Sequence, residues 1–282
     1  MGIPASAQAY AAQVRASLEQ RRLLSAVEGA DDPWGSKADK FVADPRREAD
    51  AALQSLFAYL QPDDVVLDIG GGAGRYLPLA LHCRELVNIE PSPGMGERFQ
   101  VSARQAGIGN ARWLPGAWLD TEVEGDVVFV AHVLNYVEDI LPFVEKLQRA
   151  ARRQVMLLMH SLPPTNHGAE RFRLVHNREP APAPGFRELL PVLWDMGLLP
   201  EVRVLGPSDF IVGRERYADR EAAVASVLQS ARLEPAERES ARQRLLADFE
   251  RLFEATAQGY GYRPAGASQL VLITWTTCTD GS

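Results

Sequence analysis

The chain has 282 residues, 46% hydrophobic and 24% charged, with 30 basic against 37 acidic side chains and a net charge of −7. That length can bury a sizeable core in one elaborated domain, while the acidic balance gives no global field for a phosphate backbone, so nucleic acid is not expected as a partner. Two cysteines, Cys83 and Cys278, exclude a disulfide scaffold or a cysteine zinc site, no apolar run reaches membrane-spanning length, and a cytoplasmic protein that works as a monomer or homodimer is the default expectation.

In chain order, residues 5–28 are alanine- and charge-rich, with Tyr10, Val14, Leu18, Leu24 and Val27 at helical spacing. Gly29 to Pro33 closes that segment, and a second helix is predicted over 45–60, stopping before Pro62. Alternation then begins. Strands are predicted at 65–68, 86–90, 111–114, 127–131 and 155–159, with helices at 75–82, 93–106 and 140–151. Strands alternating with helices imply right-handed crossovers and a parallel sheet. Residues 161–185 hold five prolines and little periodicity, which predicts a long ordered loop over a site. A helix at 186–196 must place Pro191 in its first turn or kink there. A strand at 202–205, helices at 219–232 and 235–258, and a β-branched strand at 270–275 complete the chain.

The densest signal is Val65-Val66-Leu67-Asp68-Ile69-Gly70-Gly71-Gly72-Ala73-Gly74, an apolar strand running into a glycine turn. Glycine lets a ligand approach the backbone where a Cβ would block it. The spacing is G-x-G-x-G, and Arg75 breaks the G-x-G-x-x-G dinucleotide fingerprint, which disfavours a nicotinamide enzyme. The next strand ends in Glu90, and an acid there can accept hydrogen bonds from both hydroxyls of a ribose lying over the turn.

These features together resemble the class I S-adenosylmethionine (SAM)-dependent methyltransferases, over about a third of the chain. Their first motif, [DE]-x-G-x-G-x-G, is matched by Asp68, Gly70, Gly72 and Gly74. The acid closing the second strand is matched by Glu90, within Ile89-Glu90-Pro91-Ser92-Pro93-Gly94-Met95, and the apolar fourth strand by Asp126 to Leu134. The resemblance implies an α/β fold with a seven-strand, doubly wound, mostly parallel sheet in the order 3-2-1-4-5-7-6. It implies SAM as cofactor, with Gly70, Gly71 and Gly72 under the methionine part and Asp68 orienting the loop or receiving the ammonium. Glu90 would hold the ribose, flanked by Pro91 and Ser92, and Met95 would lie against the adenine. Where members often carry an acid for the adenine amino group this chain reads Gly116-Ala117-Trp118. Either Asp120 reaches in, or amides near Ala117 read the adenine while Trp118 packs on it; a core role for Trp118 is the alternative.

Histidines carry the second signal. His132 leaves the fourth strand and His160 the fifth, at the carboxyl ends where open α/β sheets bind ligands. His167 and His176 follow in the proline-rich segment. A histidine titrating near neutrality suits removal of a proton from an acceptor. His160 is therefore a candidate general base or substrate contact, and His132 a cofactor contact or catalytic group. Tyr136, with Asn135, either lines the acceptor pocket or starts a helix. No compact ligand spacing supports a metal. Residues 1–45 would form an N-terminal helical cap carrying Trp34 and Phe41, and residues 46–282 the SAM-binding domain, with an active-site loop at 161–185 and a helical insertion at 215–260. The expected reaction is methylation of a small molecule at oxygen or nitrogen, yielding S-adenosylhomocysteine. A protein or RNA methyltransferase, or a SAM-binding protein without methyl transfer, is the alternative.

Overall fold

The computed structural model describes residues 2–24, 32–207, 215–231, 233–263 and 268–277. The chain opens with helix α1 (Ala5–Leu24), a 3-10 turn (Gly35–Phe41) and α2 (Ala51–Phe57). It continues through β1 (Val65–Ile69), β2 (Glu85–Glu90), α3 (Pro93–Gln105), β3 (Ala111–Pro115), β4 (Gly125–Ala131), α4 (Ile140–Ala150) and β5 (Ala151–His160). After α5 (Ala169–His176), α6 (Phe186–Asp195) and β6 (Glu201–Pro207) come β7 (Arg216–Tyr217), α7 (Arg220–Gln229), α8 (Pro235–Ala247), α9 (Phe249–Leu252), β8 (Phe253–Thr256), β9 (Gly259–Tyr262) and β10 (Gln269–Thr276).

Seven strands form one sheet in the order β3-β2-β1-β4-β5-β10-β6. The first five pair in parallel and β10 runs antiparallel between β5 and β6. β1 is buried along its whole length, as expected of a central strand covered on both faces. One face packs on α1, α4 and α6 through Val128, Val130, Leu147, Val192 and Ile273. The other packs on α2, α3 and the 3-10 turn Leu77–His82 through Leu53, Phe99, Phe129 and Leu158. α1 is fixed by Tyr10, whose buried hydroxyl donates to the Leu134 carbonyl at 3.0 Å. No helix among the described residues is long and apolar enough to cross a membrane.

Several elements differ from expectation. The helix expected over 45–60 is confined to Ala51–Phe57, because Asp50 caps it by accepting from the Leu53 amide at 2.8 Å. Residues 77–82 wind as a 3-10 helix instead of an α-helix. The segment 161–185 is not a plain loop: it holds a 3-10 turn (Pro164–Gly168) and α5, which buries Phe172, Leu174 and Val175 and ends where Asn177 adopts a left-handed conformation. Pro191 lies inside α6, beyond its first turn. The end of the α1 segment at 25–28, Gly29 to Asp31, the end of the 219–232 helix at Arg232, and Cys278 lie outside the described residues.

The largest departure is in the 215–260 insertion, expected to be helical. It carries a three-stranded antiparallel sheet, β7-β9-β8, beside α7, α8 and α9. The predicted 235–258 helix breaks at Asp248 and again at Phe253, where the chain turns into a hairpin. Phe249, Phe253, Tyr260 and Tyr262 stack within this small core, which also takes Leu174 and Val175 of α5. Apolar residues at helical spacing had masked a strand whose partner lies across a tight turn.

Candidate active site

β1 delivers Asp68 to the head of the glycine turn, where it is buried and neither carboxylate oxygen has a hydrogen-bond partner. Burial and the nearby Glu90 push its carboxyl up to about 7. Gly71 backs directly on that carboxylate and Gly74 packs on Phe99. Gly70 has φ +67°, and a Cβ there would stand 2.6 Å from Val133 Cγ2. Gly72 has φ +56°, and a Cβ on it would meet only Met95 Sδ at 3.8 Å, so the space above the turn is open to a ligand.

Side chains of β2 brace the turn. The Gly72 amide donates to Glu90 Oε2 at 3.0 Å and Asn88 Nδ2 donates to the Gly72 carbonyl at 3.0 Å. Glu90 Oε1 accepts from the Ser92 amide at 2.9 Å. Burial raises the Glu90 carboxyl, and these two amides oppose that rise. Each oxygen accepts one bond from the protein and retains capacity for a second. Ser92 also caps α3, accepting from the Met95 amide at 3.2 Å.

A strap from the N-terminal region crosses this corner. Asp32 accepts from the Ser92 hydroxyl at 2.8 Å, the Gly94 amide at 3.0 Å and the Gly35 amide at 2.8 Å. These donors hold the Asp32 carboxyl below its usual range, the Gly35 amide most strongly. The strap buries Met95 with Ala38 and Ala73, under Trp34 and Phe41. Trp34 meets Tyr136 edge-on at 5.8 Å, and the Arg21 guanidinium lies 4.8 Å from the Tyr136 ring centre. Trp34, Phe41, Met95 and Tyr136 are thus joined in one cover, with Asn135 buried beside Tyr136.

The two sheet histidines meet. His132 and His160 stack with ring centres 4.3 Å apart, because β4 and β5 are neighbours in register. His132 Nε2 lies 2.9 Å from the Tyr76 hydroxyl. Neither histidine titrates near neutrality as expected from sequence. Burial, then the positive neighbours, holds His132 well below its ordinary value and His160 at about 4. His167 is also lowered by burial and lies close enough to influence His160, whereas His176 packs on Phe172 of α5.

Of the adenine-side candidates, Pro91 and Ala117 are exposed at the rim, and Asp120 is exposed as well. Trp118 is buried, its indole N–H donating to the Phe143 carbonyl at 3.3 Å under the Lys146 ammonium, so its ring belongs to the core against α4. Sequence reasoning missed Asp32, Tyr76 and Asn88. Only the polar Asn88 inside an otherwise apolar strand carried a signal.

The sheet order, the glycine turn and the braced acid at the end of β2 define the class I methyltransferase fold. The orphaned Asp68 carboxylate and the open space above Gly72 suit SAM, whose ammonium needs an anion and whose bulk needs that clearance. Residues 67–159 match the family model described as "Methyltransferase domain". The chain contains a class I SAM-dependent methyltransferase domain, an enzyme class whose cofactor is S-adenosylmethionine.

Among solved structures, the chain is similar to the YcgJ protein of Bacillus subtilis, at 15% identity and TM-score 0.51 over 80% of this chain and 97% of that one. It is likewise similar to a candidate methyltransferase from Bacillus halodurans, at 12% identity and TM-score 0.52 over 81% and 98%. At these identities the likeness shows the fold. A curated relative, the 23S rRNA (uracil(1939)-C(5))-methyltransferase RlmD of Aeromonas salmonicida, is 40% identical over 67 residues, 23% of this chain and 14% of that one.

Proposed function

We propose that this protein methylates a small-molecule acceptor at oxygen or nitrogen. The observation that carries the reading is the cover over the cofactor corner. Trp34, Phe41 and Tyr136 close over Met95 and the glycine turn, which suits a small acceptor admitted to a dry pocket better than a macromolecule laid across an open groove. Residues 1–45 act as the cap in this reading, and 161–185 with 215–260 wall the acceptor side.

Bound SAM would supply an electrophilic methyl group to an acceptor lone pair lying in line with its C–S bond, which breaks to leave S-adenosylhomocysteine. The chain's own groups do the rest. Asp68 takes the ammonium, Glu90 the ribose hydroxyls, and Gly70 to Gly72 leave room for backbone contact. Met95 bounds the adenine side, with Pro91, Ser92 and Ala117 at the rim. His160, neutral above about pH 4, stands in the form that accepts a proton from the acceptor. His132 and Tyr136 hold the acceptor in line with the methyl group.

The test is incubation of the protein with methyl-labelled SAM and, separately, a small-molecule extract, total RNA and total protein. Label in the small-molecule fraction is expected. Label on RNA or protein would replace the acceptor class, and binding of SAM with no transfer to any fraction would leave a cofactor-binding role.

A further inference from the structure

Arg75 follows the glycine turn directly. Its positive charge acts on the Tyr76 hydroxyl. The same hydroxyl lies 2.9 Å from His132 Nε2. Directed at Nε2, the hydroxyl proton has an acceptor; reversed, it is stranded on a buried tyrosine. The network therefore assigns the tautomer: Nε2 accepts, and Nδ1 carries the hydrogen.

That Nδ1 is buried and has no partner. His132 also holds a left-handed backbone, φ +61°, a conformation a non-glycine residue adopts at a cost. Its ring is held on one face by His160 at 4.3 Å, so it cannot simply swing to a new partner. Strain and an orphaned donor thus coincide on one side chain at the carboxyl end of β4, next to Gly70, where Val133 packs. Such coincidences mark ligand contacts.

We propose that Tyr76 and His132, beside the positive charge of Arg75, form a donor relay that binds an anionic oxygen of the carboxylate or phosphate class beside the glycine turn. The relay has an electrostatic advantage. A protonated histidine would repel a sulfonium, whereas a neutral imidazole hydrogen-bonded to Tyr76 supplies donor strength without a second full charge there. The anion has two possible sources, the amino-acid carboxylate of the cofactor or an acidic group on the acceptor. The proposal rests on the reading of the neighbouring loop as the cofactor site only for naming the first source.

The test uses the full chain with labelled histidine, followed by nitrogen-resolved NMR. The free protein is expected to show His132 as the Nδ1–H tautomer. S-adenosylhomocysteine, 5′-methylthioadenosine (which lacks the amino-acid carboxylate) and then benzoate or inorganic phosphate added to the 5′-methylthioadenosine complex are titrated in turn. A downfield move of the Nδ1 proton with S-adenosylhomocysteine alone assigns the anion to the cofactor; a move with benzoate or phosphate assigns it to the acceptor. In either case Tyr76→Phe, which keeps the ring against Phe129, weakens binding of that anion roughly tenfold. Arg75→Met supplies the same reading should Tyr76→Phe misfold. An Nε2–H tautomer, or a proton that no probe moves, overturns the relay. Calorimetric binding of S-adenosylhomocysteine in that case would leave the cofactor site intact, so the two readings fail separately.

Discussion

On the glycine-turn side, Asp68, Gly72, Asn88, Glu90 and Ser92 fall within 25 residues of chain, and all but Asp68 are tied largely by backbone amides and carbonyls. On the histidine side, Tyr76, His132 and His160 come from three separate elements and meet only through side chains. The first arrangement is local, so a short motif encodes it. The second depends on strand order and on burial, which also sets its protonation. One side is therefore sensitive to steric change at the backbone and the other to desolvation of its rings.

The largest expected effect is on the turn. Gly70→Val places a β-branched residue at positive φ and drives its Cβ against Val133, at a cost of about 3 kcal/mol or more. Calorimetry should find S-adenosylhomocysteine binding weakened by roughly a hundredfold or more; unchanged affinity would break the contrast at once.

His160 gives the next effect, in stability. Its native pKa of about 4 lies below the unfolded value near 6.5, so the unfolded chain binds the extra proton between those limits. Stability from this group is complete above about pH 6.5 and is lost as pH falls toward 4, amounting to roughly 3 kcal/mol. Denaturant titrations from pH 7 to 4 should show wild type losing that much more than His160→Asn. Equal losses in both proteins would show that burial of this ring carries no proton linkage.

A pH series of binding returns to the turn. Asp68 titrates at about 7 in the ligand-free protein and should ionise to meet an ammonium. S-adenosylhomocysteine affinity is then expected to rise roughly tenfold from pH 6 to 8, through the ionisation of this one group. Asp68→Asn should bind weakly and flatten the profile. A slope that survives the substitution moves the titrating group elsewhere.

The smallest effect concerns the strap. Asp32→Ala removes three accepted hydrogen bonds but leaves the aromatic cover, costing about 1–2 kcal/mol of stability at most. Cofactor release, followed by stopped-flow fluorescence, should quicken several-fold. An unaltered release rate with lowered stability would make the strap purely architectural.

How much could be read beforehand follows the same division. The five parallel strands were legible because apolar runs bounded by glycine and acid repeat along the chain, and Glu90 stood at the end of its strand; their order came only from the resemblance to the class I methyltransferases. The Trp118 ring was ambiguous, and only its place against Phe143 and Lys146 decided for the core. Residues 253–258 were misread as the end of a helix because Phe253 continues the helical face of Leu245, Phe249 and Leu252, whereas its strand pairs across a tight turn with 259–262. Asp32 gave no signal, since only the Gly35 amide is local to it, and its other donors, Ser92 and Gly94, lie across the fold at the start of α3.

The sequence by itself determined the parallel sheet, the glycine turn and the acids that brace it, because each depends on residues close in the chain and on the intolerance of a Cβ near a ligand. Tertiary structure decided the rest. Stacking His132 on His160 required β4 and β5 to pair, and their neutral state required the surrounding core to exclude water. Burial is a property of the assembled protein, so no spacing of residues along the chain encodes the charge of those two rings.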